Sequence, residues 1–253
     1  LCRRLAGARD TELAERLELL ADDCCHAGRV RSAAKNRVLE AFLEVAGQYG
    51  AVPVDGIYLE TRVAMRVVLP MVFEPVDNEV LLYGISWGNS EFGDGALWMR
   101  TFVNRLWCTN YATLDEELRK VHLGKRLGDD LRLSEATHML DLETLKSATR
   151  DIVGGALHPS RVKATLEGIK AANDEKISPR QIGEFLKGRL NKEEVEGVKE
   201  IFTSADVEHL PAGQNRWRLS NAISYLAGSI EDGSRRLQLQ EVAGEALKVD
   251  VAA

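Results

Sequence analysis

Hydrophobic positions along this chain change period twice. From Thr11 to Cys25 the apolar residues Leu13, Leu17 and Leu20 recur at helical spacing with acidic residues between them, and Gly28 breaks the run. Ser32 to Tyr49 predicts a second helix, with Val38, Phe42 and Val45 on one side and Gly47 and Gly50 closing it. Beyond Pro53 and Gly56 the period drops to two. Odd positions from Val63 to Phe73 read Val, Met, Val, Leu, Met, Phe against mixed even positions, which predicts a strand with one buried and one partly polar face. Pro70 has no N–H for a ladder, so this strand is expected at an edge or bulged there. Glu74 to Asn78 reads as a turn, Val80 to Trp87 as the returning strand and Gly88 to Gly95 as a loop. Ala96 to Cys108 is a third extended segment, although Leu97, Met99, Val103 and Trp107 also suit a helix starting near Arg100.

After Thr113 the pattern is helical almost to the end. Ser134 and Glu135 open an amphipathic run through Ile152, and Pro159 begins a helix to Ala172. Ser178 followed by Pro179 is an N-cap with proline at the first helical position. Asn191 caps Lys192 to Phe202, and Pro211-Ala212-Gly213 precedes a last pair, Ser220 to Ile230 and Arg235 to Leu247. The expected architecture is α+β: two N-terminal helices, a small antiparallel β-sheet, then a mostly helical C-terminal half. Residues 1–126 would hold the helix pair and sheet, and 127–253 the helical region, packed with the first as one unit.

Composition narrows the class. A chain of 253 residues, 45% hydrophobic and 28% charged, can bury a sizeable core. Its longest apolar run, Val67 to Phe73, is interrupted by Pro70 and too short to span a bilayer. Cys2-Arg3-Arg4 leads into polar sequence unlike a signal peptide, and a start at Leu1 instead of Met predicts that a few native residues precede it. The spacing of Cys2, Cys24, Cys25 and Cys108 fits neither a zinc ribbon nor a disulfide framework, which points to reduced thiols in the cytoplasm. A net charge of −6 argues against whole-surface attraction to nucleic acid, though a local basic strip can still hold phosphate.

The densest polar signature is Asn89-Ser90-Glu91-Phe92-Gly93, then Arg105-Leu106-Trp107-Cys108-Thr109-Asn110, then His122-Leu123-Gly124. With Trp217-Arg218-Leu219-Ser220-Asn221-Ala222-Ile223-Ser224 near the end, it resembles the phage/plasmid-like protein family designated domain of unknown function 932. The resemblance spans Val63 to Leu247, in two islands. It departs at Tyr111, where the family commonly has Gly, and at Leu123, where Thr is frequent. The resemblance implies a prokaryotic mobile-element protein in the cytoplasm of its host and imports no catalytic mechanism.

Each candidate group carries two readings. Glu91 is a carboxylate held for a ligand, or the tip of an Asx-type turn pairing Arg105 or Arg100. Cys108, near Arg105, Asn110 and His122, is an activated thiol or a small core residue. His122 lacks a partner at metal-ligand spacing, so no metal is expected. Arg119, Lys120, Lys125 and Arg126 form a basic strip, and Arg29, Arg31, Lys35 and Arg37 form another; each binds phosphate or is a solvated charge run. Arg216-Trp217-Arg218 stacks on bases or anchors the core. No Gly-rich phosphate loop, dinucleotide fingerprint, His-Glu-x-x-His or Gly-x-Ser-x-Gly motif is present, so no cofactor is expected. Three functions remain open: a mobile-element protein that binds single-stranded DNA, annealing or protecting it as a homo-oligomer; an enzyme using Glu91, Arg105, Cys108 and His122 together; and an oligomeric assembly protein.

Overall fold

The computed structural model describes residues 37–58, 62–77, 79–90, 97–105, 111–120, 134–204 and 210–248. The helix expected over Thr11 to Cys25 lies outside them. The first described element is α1 (Arg37–Gln48), which buries Leu39, Phe42, Val45 and Ala46, a three-and-four spacing that gives one apolar stripe. It ends at Gly50, whose φ of 75° lies in the left-handed region that glycine adopts without strain.

Five strands follow: β1 (Val52–Tyr58), β2 (Arg62–Val76), β3 (Glu79–Ser90), β4 (Leu97–Arg105) and β5 (Tyr111–Lys120). They form an antiparallel sheet in the order β1-β2-β3-β4-β5, so each strand lies beside its sequence neighbour. Two of the five differ from the sequence reading. β1 carries Pro53 and Gly56, which in the sequence mark only a change of period; an edge strand tolerates both, and Val54 is the extra residue where the β1–β2 register slips between Pro53 and Asp55. Most of β5 falls in the stretch after Thr113 that reads as helical, and its Leu114 and Leu118 do stand four apart. Pairing along β4 overrides that weak local preference, and the charges of Asp115 to Lys120 suit an edge strand.

The expectation that Pro70 places β2 at an edge or at a bulge is corrected: β2 lies between β1 and β3, and the register slip is in β1. The β1 ladder ends at Val52 opposite Val68, so Pro70 lies beyond it, and its ring is exposed. The expected half-polar face of β2 is corrected. Ala64, Arg66 and Val68 are buried along with Met65, Val67 and Leu69. Arg66 tolerates burial because Asp55, directly opposite on β1, accepts from its guanidinium.

Among the described residues, six helices complete the chain: α2 (Glu135–Ala156), α3 (Pro159–Asp174), α4 (Pro179–Leu186), α5 (Lys192–Thr203), α6 (Arg216–Gly228) and α7 (Gly233–Glu245). Their starts are written locally. Ser134 caps α2, while Ser178 with Gln181 and Asn191 with Glu194 make reciprocal capping boxes for α4 and α5. α6 begins four residues before the expected Ser220, because Asn215 accepts from the Arg218 N–H at 2.8 Å.

Compactness divides the chain into two interleaved units. The first takes residues 1–71, 84–101 and 116–158; the second takes 72–83, 102–115 and 159–253. The helical region after residue 127 is thereby split, with α2 in the first unit. There α1 and α2 pack on each other, with Lys146 and Glu44 paired at 2.9 Å, and Phe42 stacks on Trp87 at 5.9 Å. The second unit is built from α3 to α7 and the remaining strand segments. Gly244 of α7 passes so close to β5 that a Cβ there would lie 1.5 Å from the Thr113 carbonyl oxygen. Ser224 of α6 donates to the Tyr111 carbonyl at 3.0 Å.

Candidate functional site

Strand alternation sorts β4 into two faces. Met99 is fully buried and receives the Thr149 hydroxyl of α2 on its sulfur at 3.9 Å, so Met99 and Thr101 face the helices. Trp98 and Arg100 point the other way, and both are half-buried. On β3 the residue beneath the indole is Gly88. A Cβ at that position would sit 2.3 Å from the Trp98 ring, so the ring rests on bare backbone. The Arg100 guanidinium carbon lies over the same ring, 4.6 Å from its centroid. Such a cation–π contact is worth about 0.5–2 kcal/mol, depending on desolvation. Ser86 shares the strand face of Gly88; it is buried, and its Oγ has no hydrogen-bond partner among the described residues.

Sequence reasoning passed over this group because Gly88 read as the start of a loop and Trp98 was not singled out within the segment from Ala96 to Cys108. The available signal was Trp98-Met99-Arg100: in a strand, the outer two share a face and the middle one does not.

The signature residues have other surroundings. Asn89 is buried on the Trp87 face of β3, and its Oδ1 has no partner among the described residues. Arg105 is buried and bidentate on Glu79, with Nη2 donating to Oε1 at 2.8 Å and Nε to Oε2. The sequence reading paired Glu91 with Arg105 or Arg100 and did not consider Glu79, which stands just after the β2–β3 turn and meets Arg105. Asn89 belongs to the first unit and Arg105 to the second. Glu91, Gly93, Cys108, Asn110 and His122 lie outside the described residues. For Ser90, only the strand backbone is described.

The basic candidates separate as well. Arg37 donates to Glu135 at 2.7 Å across α1 and α2, and that hydrogen bond holds the Glu135 carboxyl below the ordinary carboxylate range. Arg119 is exposed on β5. Two residues before it, Glu117 accepts from Thr101 at 3.4 Å, so Arg119 shares the Thr101 face and not the one bearing Trp98. Only the backbone of Lys120 is described, and Arg29, Arg31, Lys35, Lys125 and Arg126 lie outside the described residues.

Arg216-Trp217-Arg218 takes its core reading. Trp217 is 2% exposed. Arg216 pairs with Glu175 at 2.7 Å, and Arg218 donates to the carbonyls of Phe202, Pro211 and Ser204 at 2.5–2.7 Å. Arg218 thus closes the C-terminal end of α5, where carbonyls lack helical partners. Its burial lowers its pKa. Among the described residues, no helix is long and apolar enough to cross a membrane, and no three His, Cys, Asp or Glu side chains are grouped to hold a metal ion.

No family model, curated protein or solved structure matches this chain. The likeness to the phage/plasmid-like family therefore rests on the residues of the two islands.

Proposed function

We propose that this chain is a mobile-element protein that binds single-stranded DNA on the sheet face carrying Trp98 and Arg100. One observation carries the reading: a half-buried arginine held over a tryptophan that itself rests on a glycine backbone. The indole holds the guanidinium, whose plane is a surface for an unpaired base. Stacking of this kind tolerates any base and is worth about 1–3 kcal/mol per base. The mobile-element setting comes from the resemblance of the two islands. Binding acts locally against a net charge of −6, so assembly into an oligomer, adding modest contacts along one strand, is its natural companion.

Fluorescence anisotropy of a labelled oligothymidylate at low salt tests the reading. Saturable binding that weakens as salt rises is expected. Trp98→Ala should weaken it roughly 5- to 150-fold, the equivalent of about 1–3 kcal/mol. Absence of association at low salt removes the reading, and a strict monomer in light scattering with DNA bound removes the oligomer.

A further inference from the structure

The second unit holds a cleft that the DNA-binding reading leaves unused. α3, the end of α7 and β5 line it, and its cavity volume is about 590 Å³, within the range of small-molecule sites. Its floor is apolar, with Leu114, Ile169 and Leu247 beside the bare backbone of Gly168 and Gly244. Among the described lining residues, Thr165, half-buried on α3, carries the one uncharged polar side chain.

The two glycines have different causes. Gly244 is demanded by the Thr113 carbonyl, as described above. Gly168 stands in the middle of α3, where glycine is destabilising relative to alanine, and nothing beyond its own helix backbone lies within 4 Å of where its Cβ would be. Gly47, Gly155 and Gly228 have similar space but stand at helix C-terminal ends, where glycine is ordinary. The open space over Gly168 is the floor of the cleft.

The charges at the margin cancel. Asp115 and Glu167 stand against Arg161 and Lys248, two acids for two bases. Asp115 meets Lys248 at 3.3 Å and Arg161 at 4.0 Å, Arg161 has a further partner, and Glu167 meets Lys163 at 3.7 Å on its own helix. Each of the four charges is thus already engaged. An ion entering the cleft gives up water and meets opposite charges that have partners, a cost that a neutral molecule escapes.

We propose that this cleft binds a compact neutral molecule, a hydrocarbon body carrying one hydroxyl. The body covers Gly168 and the apolar floor, and its hydroxyl meets that of Thr165, which can both donate and accept. Removal of hydrocarbon from water drives binding, and the balanced margin disfavours ions of either sign.

Isothermal titration calorimetry of the full chain with 2-naphthol tests this, with 2-naphthoate and 2-naphthylmethylammonium as charged comparators on the same rings. Naphthol is expected to bind saturably at one site, and each ion roughly tenfold more weakly, because a charge buried without a free partner is penalised. Thr165→Val, which keeps the side-chain shape, should weaken naphthol binding severalfold. Gly168→Leu should fill the floor and abolish binding while leaving the circular dichroism spectrum unchanged. If that variant does not fold, Ala164→Leu narrows the same cleft from an exposed position and should have the same effect. No saturable heat with naphthol, an ion that binds as tightly, unchanged affinity in Thr165→Val, or full affinity in a folded floor-filling variant would each overturn the proposal. So would naphthol affinity that falls as protein concentration rises, the sign of a second copy filling the cleft.

Discussion

In β4 an arginine lies over a half-buried tryptophan on a sheet face, whereas in α6 two arginines flank a tryptophan that is 2% exposed and turned into the helical core. The residue types are the same and their surroundings are not. Arg218 spends its donors on two carbonyls at the end of α5 and on that of Pro211, and Arg216 reaches Glu175. Arg100 stacks on an indole that has glycine beneath it. Strand period puts residues 98 and 100 side by side on one face. Helix period sends residues 216, 217 and 218 in three directions. The Trp–Arg pair of the strand thus makes a surface, and that of the helix makes a joint.

The sharpest control is Arg105→Ala, which strands the buried Glu79 carboxylate. It should destabilise the fold by about 3–5 kcal/mol in urea unfolding, whereas Arg105→Met with Glu79→Leu should recover most of the loss. Arg218→Ala should cost on the order of 2–3 kcal/mol, since three carbonyls lose a charged donor, yet leave oligonucleotide affinity of the folded protein unchanged. Trp98→Ala reverses that pattern, with oligonucleotide binding down by about 1–3 kcal/mol while the chain stays folded, its stability lowered by about 1–2 kcal/mol. Should Arg218→Ala abolish binding while Trp98→Ala merely unfolds the chain, the contrast between strand and helix collapses.

Acid supplies a smaller test. Arg235 donates to both oxygens of the buried Glu194, and this hydrogen bonding, with the Asn191 N–H, holds the Glu194 carboxyl below its usual value. A depressed carboxylate stabilises the fold above the unfolded-state value near 4.5, and that contribution fades as pH falls through the lower folded value. Thermal melts between neutral pH and pH 3 should show the Glu194→Gln variant losing less stability than the parent, by on the order of 1–2 kcal/mol. The smallest effect is expected of Gly88→Ala. Its new methyl would displace an indole that is only half-buried, so stability should drop by about 1 kcal/mol. The quenching and shape of tryptophan fluorescence should nevertheless change, and oligonucleotide binding should fall with it.

Much of the helical half was legible because its signals are local. Ser178 before Pro179, Asn191 with Glu194 three residues on, and Pro159 at a helix start each act within one turn. β5 was not legible in the same way. Its Leu-Asp-Glu-Glu-Leu stretch favours helix locally, and only the β4 ladder reverses that preference. Of the polar signature, Arg105 stood out as a residue needing a partner, but its carboxylate lies 26 residues earlier in the chain. No local rule links the two.

The amino-acid order by itself determined an α+β chain, the starts of α2, α4 and α5 and the two-residue period of β2, because caps and periodicity depend on neighbours within a turn or two. Tertiary structure decided that Arg105 meets Glu79, that Trp217 is core and that Trp98 lies on Gly88. Each of these joins residues from different elements, and the desolvation or close approach that settles their role exists only once those elements pack.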